Sequence, residues 1–369
     1  MKKLFYLSIA FLVGQLFLCA QTVTTFADGF PDDCITTDAA GNIYASGFTT
    51  GVVYRFTPEG VMDFFISGLN KPNGIDFDAN GNLYVSDWGD NLIYRFNPDG
   101  TENASITIPL NPSGMIKAFD SNVDMIYTRY TGNSIHRIDP LGNIITISSD
   151  PLLNGPVGLA YDYTGNLYVG NYNNRTIYKV LENGSLQYVA TVGNSSNLGF
   201  IAFAQGYLWG TVLGEHKIYR INPNGIDDVV LFAGSSAGNQ DGDISEATFN
   251  APNGIAFSDD ETTMYVTDYN SKNLRIIEGI SLNVNDFESA NTMTLAIYPN
   301  PATETIEIKI SDKSIQQVEI QLFDGLGKLV YENHTHELSK KIDIASLKKG
   351  VYIARITAKE GVYLKKIIK

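Results

Sequence analysis

The sequence predicts an all-β protein, a six-bladed β-propeller followed by a small Ig-like β-sandwich. A motif of Gly-Asn-[Ile/Leu]-Tyr, a strand of small residues and then [Ile/Leu]-Tyr-[Arg/Lys] recurs along the chain. Successive copies are 40, 43, 41, 41 and 56 residues apart, and all but the last spacing are typical of four-stranded propeller blades. Six aromatic residues mark the copies: Tyr44, Tyr84, Tyr127, Tyr168, Trp209 and Tyr265.

Each copy contains the same order of turns and strands, which the second copy shows most clearly. A Pro-Asn-Gly turn at 72–74 precedes predicted strands at 75–77, 83–86 and 92–96, and Asn-Pro-Asp-Gly at 97–100 leads to a fourth strand. Proline fixes one turn dihedral, while glycine and asparagine accept positive φ, so these clusters separate strands.

Fourth, outermost strands are predicted at about 61–66, 104–108, 143–148, 186–192 and 229–233. The sixth copy has none of its own, whereas residues 22–27 form an unassigned strand pattern before the first copy. We therefore expect the N-terminal strand to complete the last blade, which would close the ring and remove an exposed sheet edge.

The charge of the chain is unevenly distributed. The formal net charge is −14, but residues 21–290 contain 12 basic and 31 acidic side chains, whereas residues 291–369 contain 12 and 9. An acidic propeller argues against nucleic acid as a partner, because phosphate binding needs the opposite sign. It favours cations, neutral sugars or basic partners, although an acidic surface also simply keeps a secreted protein soluble.

Residues 1–20 have the pattern of a signal peptide. Lys2 and Lys3 precede an apolar stretch at 4–18, and Cys19-Ala20 before Gln21 offers a cleavage point. The stretch is too short for a stable membrane span, so we expect no transmembrane segment in the mature chain. A lipid-attached Cys19 is the alternative. After cleavage only Cys34 remains, which excludes an intramolecular disulfide and is expected to be a small core residue.

The repeat stops near residue 279, where 281–294 form a polar linker and 295–369 a pattern of short strands. The strings IYPNPA at 297–302, LFDGLGKLVY at 322–331, IDIASLKKGVYIARI at 342–356 and the basic end LKKIIK resemble the C-terminal sorting domain of type IX secretion cargo in Bacteroidetes. The resemblance implies the type IX secretion machinery as partner and a location outside the cell or on its surface, often with removal of the domain. The predicted order is thus signal peptide 1–20, propeller 21–280, linker 281–294 and sorting domain 295–369.

The propeller also resembles known repeats. YVSDWGDNLIYRFNPDG at 84–100 and LFAGSSAGNQDGDISEATFNAPNGIAFS at 231–258 are similar to NHL repeats, and related elements occur in gluconolactonase-like and senescence-marker propellers. The resemblance covers residues 32–278. It implies a fold that supports lactonases, lyases and proteins that only bind, so it does not by itself indicate one activity.

The first candidate site is the ring of residues inside the Pro-x-Gly turns, which should gather at one mouth of the central channel. We expect the oxygens of Asp32, Asn73 and Asn253 to bind a ligand there, or Ca²⁺ or another divalent cation. In the lactonase family, a glutamate of the first blade and acidic or amide groups of later blades hold the metal; here Asp32 would replace the glutamate. In blade order the ring is Asp32, Asn73, Ser113, Val157, Leu198 and Asn253, of which Val157 and Leu198 offer no ligand.

A second ring lies three residues after each marking aromatic. Asp87 and Asp268 in this ring are candidate catalytic carboxylates, although aspartates at strand ends also cap turns. The neighbouring Trp88 and Tyr269 offer aromatic surface for sugar rings or peptide side chains, or simply pack blades together. The full ring is Gly47, Asp87, Tyr130, Asn171, Val212 and Asp268, and Tyr130 and Tyr172 extend the aromatic rim.

An alternating acidic segment and the four histidines are two further candidates for metal binding. Asn239, Asp241, Asp243 and Glu246 alternate as calcium ligands do, but the NHL-type connection between blades also explains them. The four histidines, His136, His216, His334 and His336, are not expected to form a metal cluster or a Ser/His/Asp site.

The sequence thus supports one main hypothesis and two alternatives. In the main hypothesis, the propeller is an exported ligand-binding or interaction module for glycans or surface proteins, which bind near Asp32, Asn73, Asn253, Trp88 and Tyr269. One alternative is a divalent-metal lactonase or related hydrolase, which would use these oxygens with one of two catalytic candidates, Asp87 or Asp268. The other alternative is a structural spacer of the surface layer.

Overall fold

The computed structural model describes residues 21–280, 295–310, 318–324, 329–337, 339–358 and 361–369. The predicted signal peptide, the predicted linker and most of the predicted turn at 324–327 lie outside these residues. The chain divides into two compact units, a ring of β-sheets and a C-terminal pair of sheets. Within the described residues, no helix is long and apolar enough to cross a membrane.

The ring consists of six blades, which confirms the predicted propeller. Blade 6 contains β1 (Thr22–Ala27), and blade 1 contains β2 (Ile35–Thr37), β3 (Ile43–Gly47), β4 (Val52–Phe56) and β5 (Met62–Ser67). Blade 2 contains β6 (Pro72–Phe77), β7 (Leu83–Asp87), β8 (Leu92–Phe96) and β9 (Glu102–Thr107); blade 3 contains β10 (Pro112–Lys117), β11 (Met125–Arg129), β12 (Ser134–Ile138) and β13 (Ile144–Ser148).

Blades 4 to 6 follow in the same order. Blade 4 contains β14 (Pro156–Tyr161), β15 (Leu167–Asn171), β16 (Thr176–Val180) and β17 (Leu186–Thr191). Blade 5 contains β18 (Leu198–Ala204), β19 (Tyr207–Val212), a 3₁₀ turn at Leu213–Glu215, β20 (Lys217–Ile221) and β21 (Val229–Ala233). Blade 6 adds β22 (Gly242–Asp243), β23 (Pro252–Phe257), β24 (Met264–Asp268) and β25 (Asn273–Glu278) to β1.

The N-terminal strand closes the ring, as predicted. β1 pairs antiparallel with β25, so that Val23 lies opposite Ile277. The short strand β22 then covers the other edge of β1, and blade 6 therefore has five strands rather than the four predicted. β22 pairs only with Thr22 and Val23, so at these two residues β1 is paired on both sides and forms no open edge.

In blades 2 to 6, a glycine in the innermost strand allows the blade to approach the next one closely. A methyl carbon built on Gly114 would lie 1.6 Å from the carbonyl oxygen of Val157 in the following blade, and one on Gly254 would lie 2.0 Å from the carbonyl oxygen of Asp33. Steric exclusion, not backbone conformation, therefore requires glycine in these turns. Blade 1 has Cys34 at this position, and its buried thiol lies 3.8 Å from the carbonyl oxygen of Ile75, which confirms Cys34 as a core residue.

The strand pairing corrects the marking residue of blade 3. In blade 2, Ile75 pairs with Val85, the residue after Tyr84. In blade 3, Met115 pairs with Tyr127 itself, so Ile126 is the equivalent of Tyr84. The connection between the first two strands is longer in this blade, and spacing alone misplaced the register by one residue.

The C-terminal unit is the predicted sandwich of two sheets. One sheet contains β26 (Leu295–Tyr298), β27 (Thr305–Ile310) and β30 (Ser339–Asp343); the other contains β28 (Val318–Asp324), β29 (Leu329–Thr335), β31 (Val351–Ala358) and β32 (Gly361–Ile368). Alternate residues of both sheets, among them Ile306, Ile320 and Ile356, form one hydrophobic core.

Candidate functional site

The candidate site lies where the innermost strands begin. Each innermost strand is antiparallel to the second strand of its blade, so the start of one adjoins the end of the other, as Pro72 adjoins Asp87. The turns before the six inner strands and those after the six second strands therefore gather at the same mouth of the channel. We call the first set of turns the floor of this mouth and the second set its rim.

A buried carboxylate organises the floor. Asp33 is 2% exposed, and its two carboxylate oxygens accept hydrogen bonds from the side-chain amides of Asn253 (2.6 Å) and Asn73 (2.7 Å). The hydroxyl of Ser113 then donates to the amide oxygen of Asn73 at 2.7 Å. One hydrogen-bonded chain thus links blades 6, 1, 2 and 3. Val157 and Leu198 give blades 4 and 5 an apolar part of the ring, as their sequence indicates.

Asp33, and not Asp32, is the member of this ring from blade 1. Ile35 pairs with Ala45 as Ile75 pairs with Val85, which makes Asp33 the equivalent of Asn73. Blade 1 reads Pro-Asp-Asp-Cys without a glycine, and alignment on its proline misplaced the site by one residue. A count from the marking aromatic finds it, because Asn73 lies 11 residues before Tyr84, as Asp33 does before Tyr44.

Asp32 has a different role in the same turn. Its buried carboxylate accepts hydrogen bonds from the backbone amide of Phe48 (2.6 Å) and from the ammonium of Lys272 (2.9 Å), and it also contacts the Thr49 hydroxyl. The second strand of blade 1 ends in Gly47, which has no side chain to cap the turn. Asp32 supplies this cap and is neutralised by Lys272.

Asp33 has no comparable cationic partner. Among the described residues, no lysine, arginine or histidine forms an ion pair with it, whereas Asp32 has Lys272. Burial, and then repulsion by Asp32, raise the pKa of Asp33 well above its usual range, and the amides of Asn73 and Asn253 offset only part of this effect. The floor therefore contains a carboxyl group that no cation of the described residues neutralises, and that keeps its proton to a higher pH than an exposed aspartate does.

The rim consists mostly of aromatic residues, which we call the aromatic crown. Its members directly follow the second strand of each blade, and five of the six are aromatic. Phe48 and Trp88 lie 5.9 Å apart between ring centroids, as do Tyr130 and Tyr172. Backbone bonds fix their positions; the amide of Tyr172, for example, donates to the carbonyl of Gly155 at 2.8 Å. The crown consists of Phe48, Trp88, Tyr130, Tyr172, Leu213 and Tyr269.

The electrostatics connect the crown with the floor. Burial raises the pKa of Tyr172, with contributions from Tyr130, Asp33 and Tyr269. Burial, Asp32 and Asp33 raise the pKa of Tyr269, and Lys272 offsets part of this. The phenols of blades 4 and 6 therefore lie in the field of the Asp33 carboxylate. Phe48 is a member of the crown that the sequence analysis did not identify.

One sector of the crown already holds a cation. The ammonium of Lys71 lies 5.0 Å from the ring centroid of Trp88 and 5.6 Å from that of Phe48. Both distances are within the range of favourable cation–π interaction. The rings of blades 1 and 2 thus stabilise a positive charge at the mouth.

The two catalytic candidates are engaged in structural contacts. The carboxylate of Asp87 accepts backbone hydrogen bonds from Asn70, Lys71, Gly89 and Asp90 at 2.7–3.1 Å. That of Asp268 accepts the amide of Asn250 (3.0 Å) and pairs with the buried guanidinium of Arg275 (3.4 Å). Burial, partly offset by Arg275, raises the pKa of Asp268 to about 6. These contacts fit turn capping. In blade 3, the position equivalent to Asp87 is Arg129, so the sequence analysis was wrong to place Tyr130 in this second ring.

The floor presents few oxygens suited to a divalent cation. The amides of Asn73 and Asn253 direct their nitrogens at Asp33, and the amide oxygen of Asn73 accepts from Ser113. Asp32 faces the turn of blade 1 instead. A cation cage needs several converging oxygens, so the observed arrangement satisfies a carboxylate better than it coordinates a metal.

The other metal candidates also have protein partners. Asp241 accepts the hydroxyl of Thr25 (2.9 Å) and pairs with Arg275 (2.8 Å), which holds the connection before blade 6 against β1. His136 stacks on Tyr127, with a centroid distance of 5.3 Å, and His216 accepts the backbone amide of Ala251 at 3.0 Å. In the sandwich, ligand atoms of three side chains that the sequence analysis did not group together lie within 4.8 Å of one another: Glu319, Glu332 and His334.

Comparison with protein families identifies the C-terminal unit. Residues 296–369 match the family described as "Secretion system C-terminal sorting domain". The domain indicates type IX secretion and attachment to the cell surface, as the sequence predicted. Residues 141–276 match the family described as "Repeat of unknown function (DUF6923)". The fold and the sorting domain together define the class of the chain, a β-propeller exported to the cell surface.

Curated relatives match only in part. The ulvan lyase NLR42 of Nonlabens ulvanivorans is 30% identical over 132 residues, which are 35% of this chain and 24% of the relative. Beta-agarase D of Zobellia galactanivorans is 36% identical over 77 residues, 21% of this chain and 15% of the relative. This chain therefore spans less than a quarter of the length of either protein, so the alignments do not establish a shared activity.

Solved structures share the propeller fold. An auxiliary nutrient binding protein of Bacteroides thetaiotaomicron has a TM-score of 0.59 at 16% identity, over 70% of this chain and 76% of that one. A gluconolactonase of Xanthomonas campestris has 0.56 at 16%, over 70% and 89%. Virginiamycin B lyase of Staphylococcus aureus, in a complex with quinupristin, has 0.51 at 21%, over 68% and 82%. At these identities the likeness concerns the fold alone.

Proposed function

We propose that this chain is a glycan-binding propeller displayed at the cell surface, and that it binds a saccharide at the channel mouth. The observation that carries the proposal is the aromatic crown above a hydrogen-bonding floor. Five of the six rim residues are aromatic, with Phe48 against Trp88 and Tyr130 against Tyr172, and Asp33, Asn73 and Asn253 form a hydrogen-bonded polar group at the inner turns. Binding sites commonly combine a largely apolar wall with a few fixed polar groups.

The two halves of the mouth match the two faces of a sugar ring. The C–H face of a pyranose packs on aromatic rings, and its hydroxyl groups need donors and acceptors at the edge. Tyr172, Leu213 and the apolar Val157 and Leu198 belong to blades 4 and 5, whereas the polar chain around Asp33 belongs to blades 6, 1, 2 and 3. A pyranose seated between the apolar half and the polar half would contact both.

The comparisons support this proposal by their context. Two partial relatives carry names of polysaccharide-active enzymes, and structural neighbours include nutrient binding proteins of Bacteroides. Export by a sorting domain would expose the propeller to such polymers. We favour binding over hydrolysis because backbone amides and Arg275 occupy the carboxylates of Asp87 and Asp268.

Titration of the full-length protein with a panel of soluble oligosaccharides tests the proposal. Trp88 belongs to the crown, so intrinsic fluorescence should change on binding, and calorimetry should give the affinity. Aromatic contacts contribute about 0.5–1.5 kcal/mol each, so Tyr172→Ala and Tyr269→Ala should weaken binding roughly two- to tenfold. Phe64→Ala on outer strand β5, whose side chain is exposed, should leave the affinity unchanged. An affinity that neither tyrosine variant lowers would contradict binding at the crown.

A further inference from the structure

Asp33 has no counter-charge among the described residues, so its buried carboxyl group favours the protonated form unless a cation is bound. Buried charges in proteins are usually paired with an opposite charge, because hydrogen bonds from neutral groups recover only part of the lost hydration. The described partners of Asp33 are the neutral amides of Asn73 and Asn253, whereas Lys272 pairs with the neighbouring Asp32. Each carboxylate oxygen accepts one amide and can accept a second donor.

The groups above Asp33 are suited to a cation. Tyr269 adjoins the floor, because its backbone amide donates at 2.8 Å to the carbonyl oxygen of Ala251, two residues before the Asn253 that donates to Asp33. Tyr172 adjoins the inner strand of blade 5, since its carbonyl oxygen accepts the backbone amide of Leu198 at 3.1 Å. The faces of aromatic rings attract ammonium groups, and the same crown already holds the ammonium of Lys71 against Trp88 and Phe48. Among the described residues, no lysine lies over the rings of Tyr172 in blade 4 or Tyr269 in blade 6 as Lys71 lies over Trp88 and Phe48. Lys272, the cation near Tyr269, is paired with Asp32.

The charge of the whole propeller acts in the same direction. Residues 21–290 contain 31 acidic and 12 basic side chains. Such an excess attracts positively charged ligands and repels anionic ones over distances longer than direct contacts. It disfavours sulfated or uronic polymers at the mouth.

We propose that the saccharide recognised at the channel mouth carries a free ammonium group, which lies against Asp33 between Tyr172 and Tyr269. The chemical class is an amino sugar with an unacetylated amine. This inference rests on the proposed function, which it narrows from glycans in general to cationic ones. An ammonium group needs one carboxylate and aromatic faces, and not the several oxygens that a divalent cation requires.

A matched pair of ligands tests the inference on the full-length protein. The glucosamine trisaccharide and its fully N-acetylated counterpart share one backbone and differ in the charge of the amine. Calorimetry would be done with a chelator present over a series of pH values at which the amine is protonated, because Asp33, whose pKa is raised, must release its proton to pair with the ammonium. We expect at least tenfold tighter binding of the free amine. Asp33→Asn should abolish this preference, and Asp63→Asn, at an exposed carboxylate on β5, should retain it.

The outcomes separate the two levels of the proposal. Equal or tighter binding of the acetylated sugar would overturn the cationic specificity and leave glycan binding intact. Binding of other saccharides at the crown, with neither glucosamine ligand bound, would also overturn the cationic specificity and leave glycan binding intact. A panel in which no saccharide binds would overturn both proposals. The comparison of the two ligands on the wild-type protein does not depend on whether Asp33→Asn folds.

Discussion

Replacement of Gly114 by alanine tests the physical reason for the recurring Pro-x-Gly turn. Gly114 is the third residue of β10, the inner strand of blade 3, and a methyl carbon there would lie 1.6 Å from the carbonyl oxygen of Val157 and 2.8 Å from its carbonyl carbon. Ordinary van der Waals contact begins at 3.4 Å. The inner strands of blades 3 and 4 would therefore have to separate by roughly 1.8 Å at this point, or the turn would have to rearrange.

The expected loss of stability follows from this displacement. Overpacking of a core typically costs about 1–3 kcal/mol, and here the obstacle is backbone, which cannot rotate away. Alanine also reduces the entropy of the unfolded chain, which returns about 0.4–1 kcal/mol. Because a backbone obstacle places the cost at the upper end of its range, we expect a net loss of about 2–2.6 kcal/mol. In a domain of this size that corresponds to a fall in the unfolding midpoint of roughly 4–10 °C.

Tryptophan fluorescence measures this loss on the full-length protein. Both tryptophans of the chain, Trp88 and Trp209, belong to the propeller, so the signal is independent of the sorting domain. Cys34→Ala is the matched control, because blade 1 accommodates a larger side chain at the equivalent position. That variant should lose about 1 kcal/mol or less. The steric argument is refuted if Gly114→Ala unfolds at the same midpoint as the wild type.

Three other measurements test separate parts of the structure. Arg275→Met removes a fully buried guanidinium paired with two carboxylates and should lower the free energy of unfolding by about 3–5 kcal/mol in denaturant. The control Arg55→Met, at an exposed ion pair, should lower it by less than about 1 kcal/mol. Equal losses in the two variants would argue against a stabilising role of the buried Arg275 pair. Burial lowers the pKa of His136 to about 4, below its unfolded value of about 6.5, so its neutral form stabilises the fold above pH 6.5, and this contribution is lost as the pH falls toward 4. The stability of the wild type relative to His136→Gln should therefore decline over this interval, and parallel pH profiles would contradict the assignment. Millimolar Ca²⁺ should leave the unfolding midpoint unchanged because Asn73 and Asn253 direct amide nitrogens at the floor carboxylate; a rise that Asn73→Ala removes would favour the divalent-cation alternative.

The architecture was predictable because it depends on short-range rules repeated six times. Glycine, proline and asparagine mark each turn, and a missing outer strand in the sixth copy predicts closure by the N-terminal strand. The additional strand β22 was not predictable in the same way. It has two residues, and its pairing with β1 depends on a long connection held by Arg275, which joins residues distant in sequence.

The site was predictable in type but not in register. Acidic and amide groups were expected at the inner turns, and aromatic residues at the rim. In blade 1, however, the glycine is replaced by Cys34, and the proline pattern then selected Asp32 instead of Asp33. The partners of each carboxylate are tertiary contacts between blades, such as Lys272 with Asp32, and no local pattern in the sequence encodes them.

The location of Asp33 connects ligand binding with closure of the ring. Asp33 follows β1 in the chain by only a few residues, and β1 belongs to blade 6, whereas Asp33 belongs to blade 1. Across this junction, Asn253 of blade 6 donates to its carboxylate, and Thr267 of blade 6 donates to its backbone carbonyl at 2.5 Å. The floor is therefore complete only when the first and last blades have met. A ligand held by Asp33 and Tyr269 would bridge the same two blades, so the closed ring and the occupied site should stabilise each other.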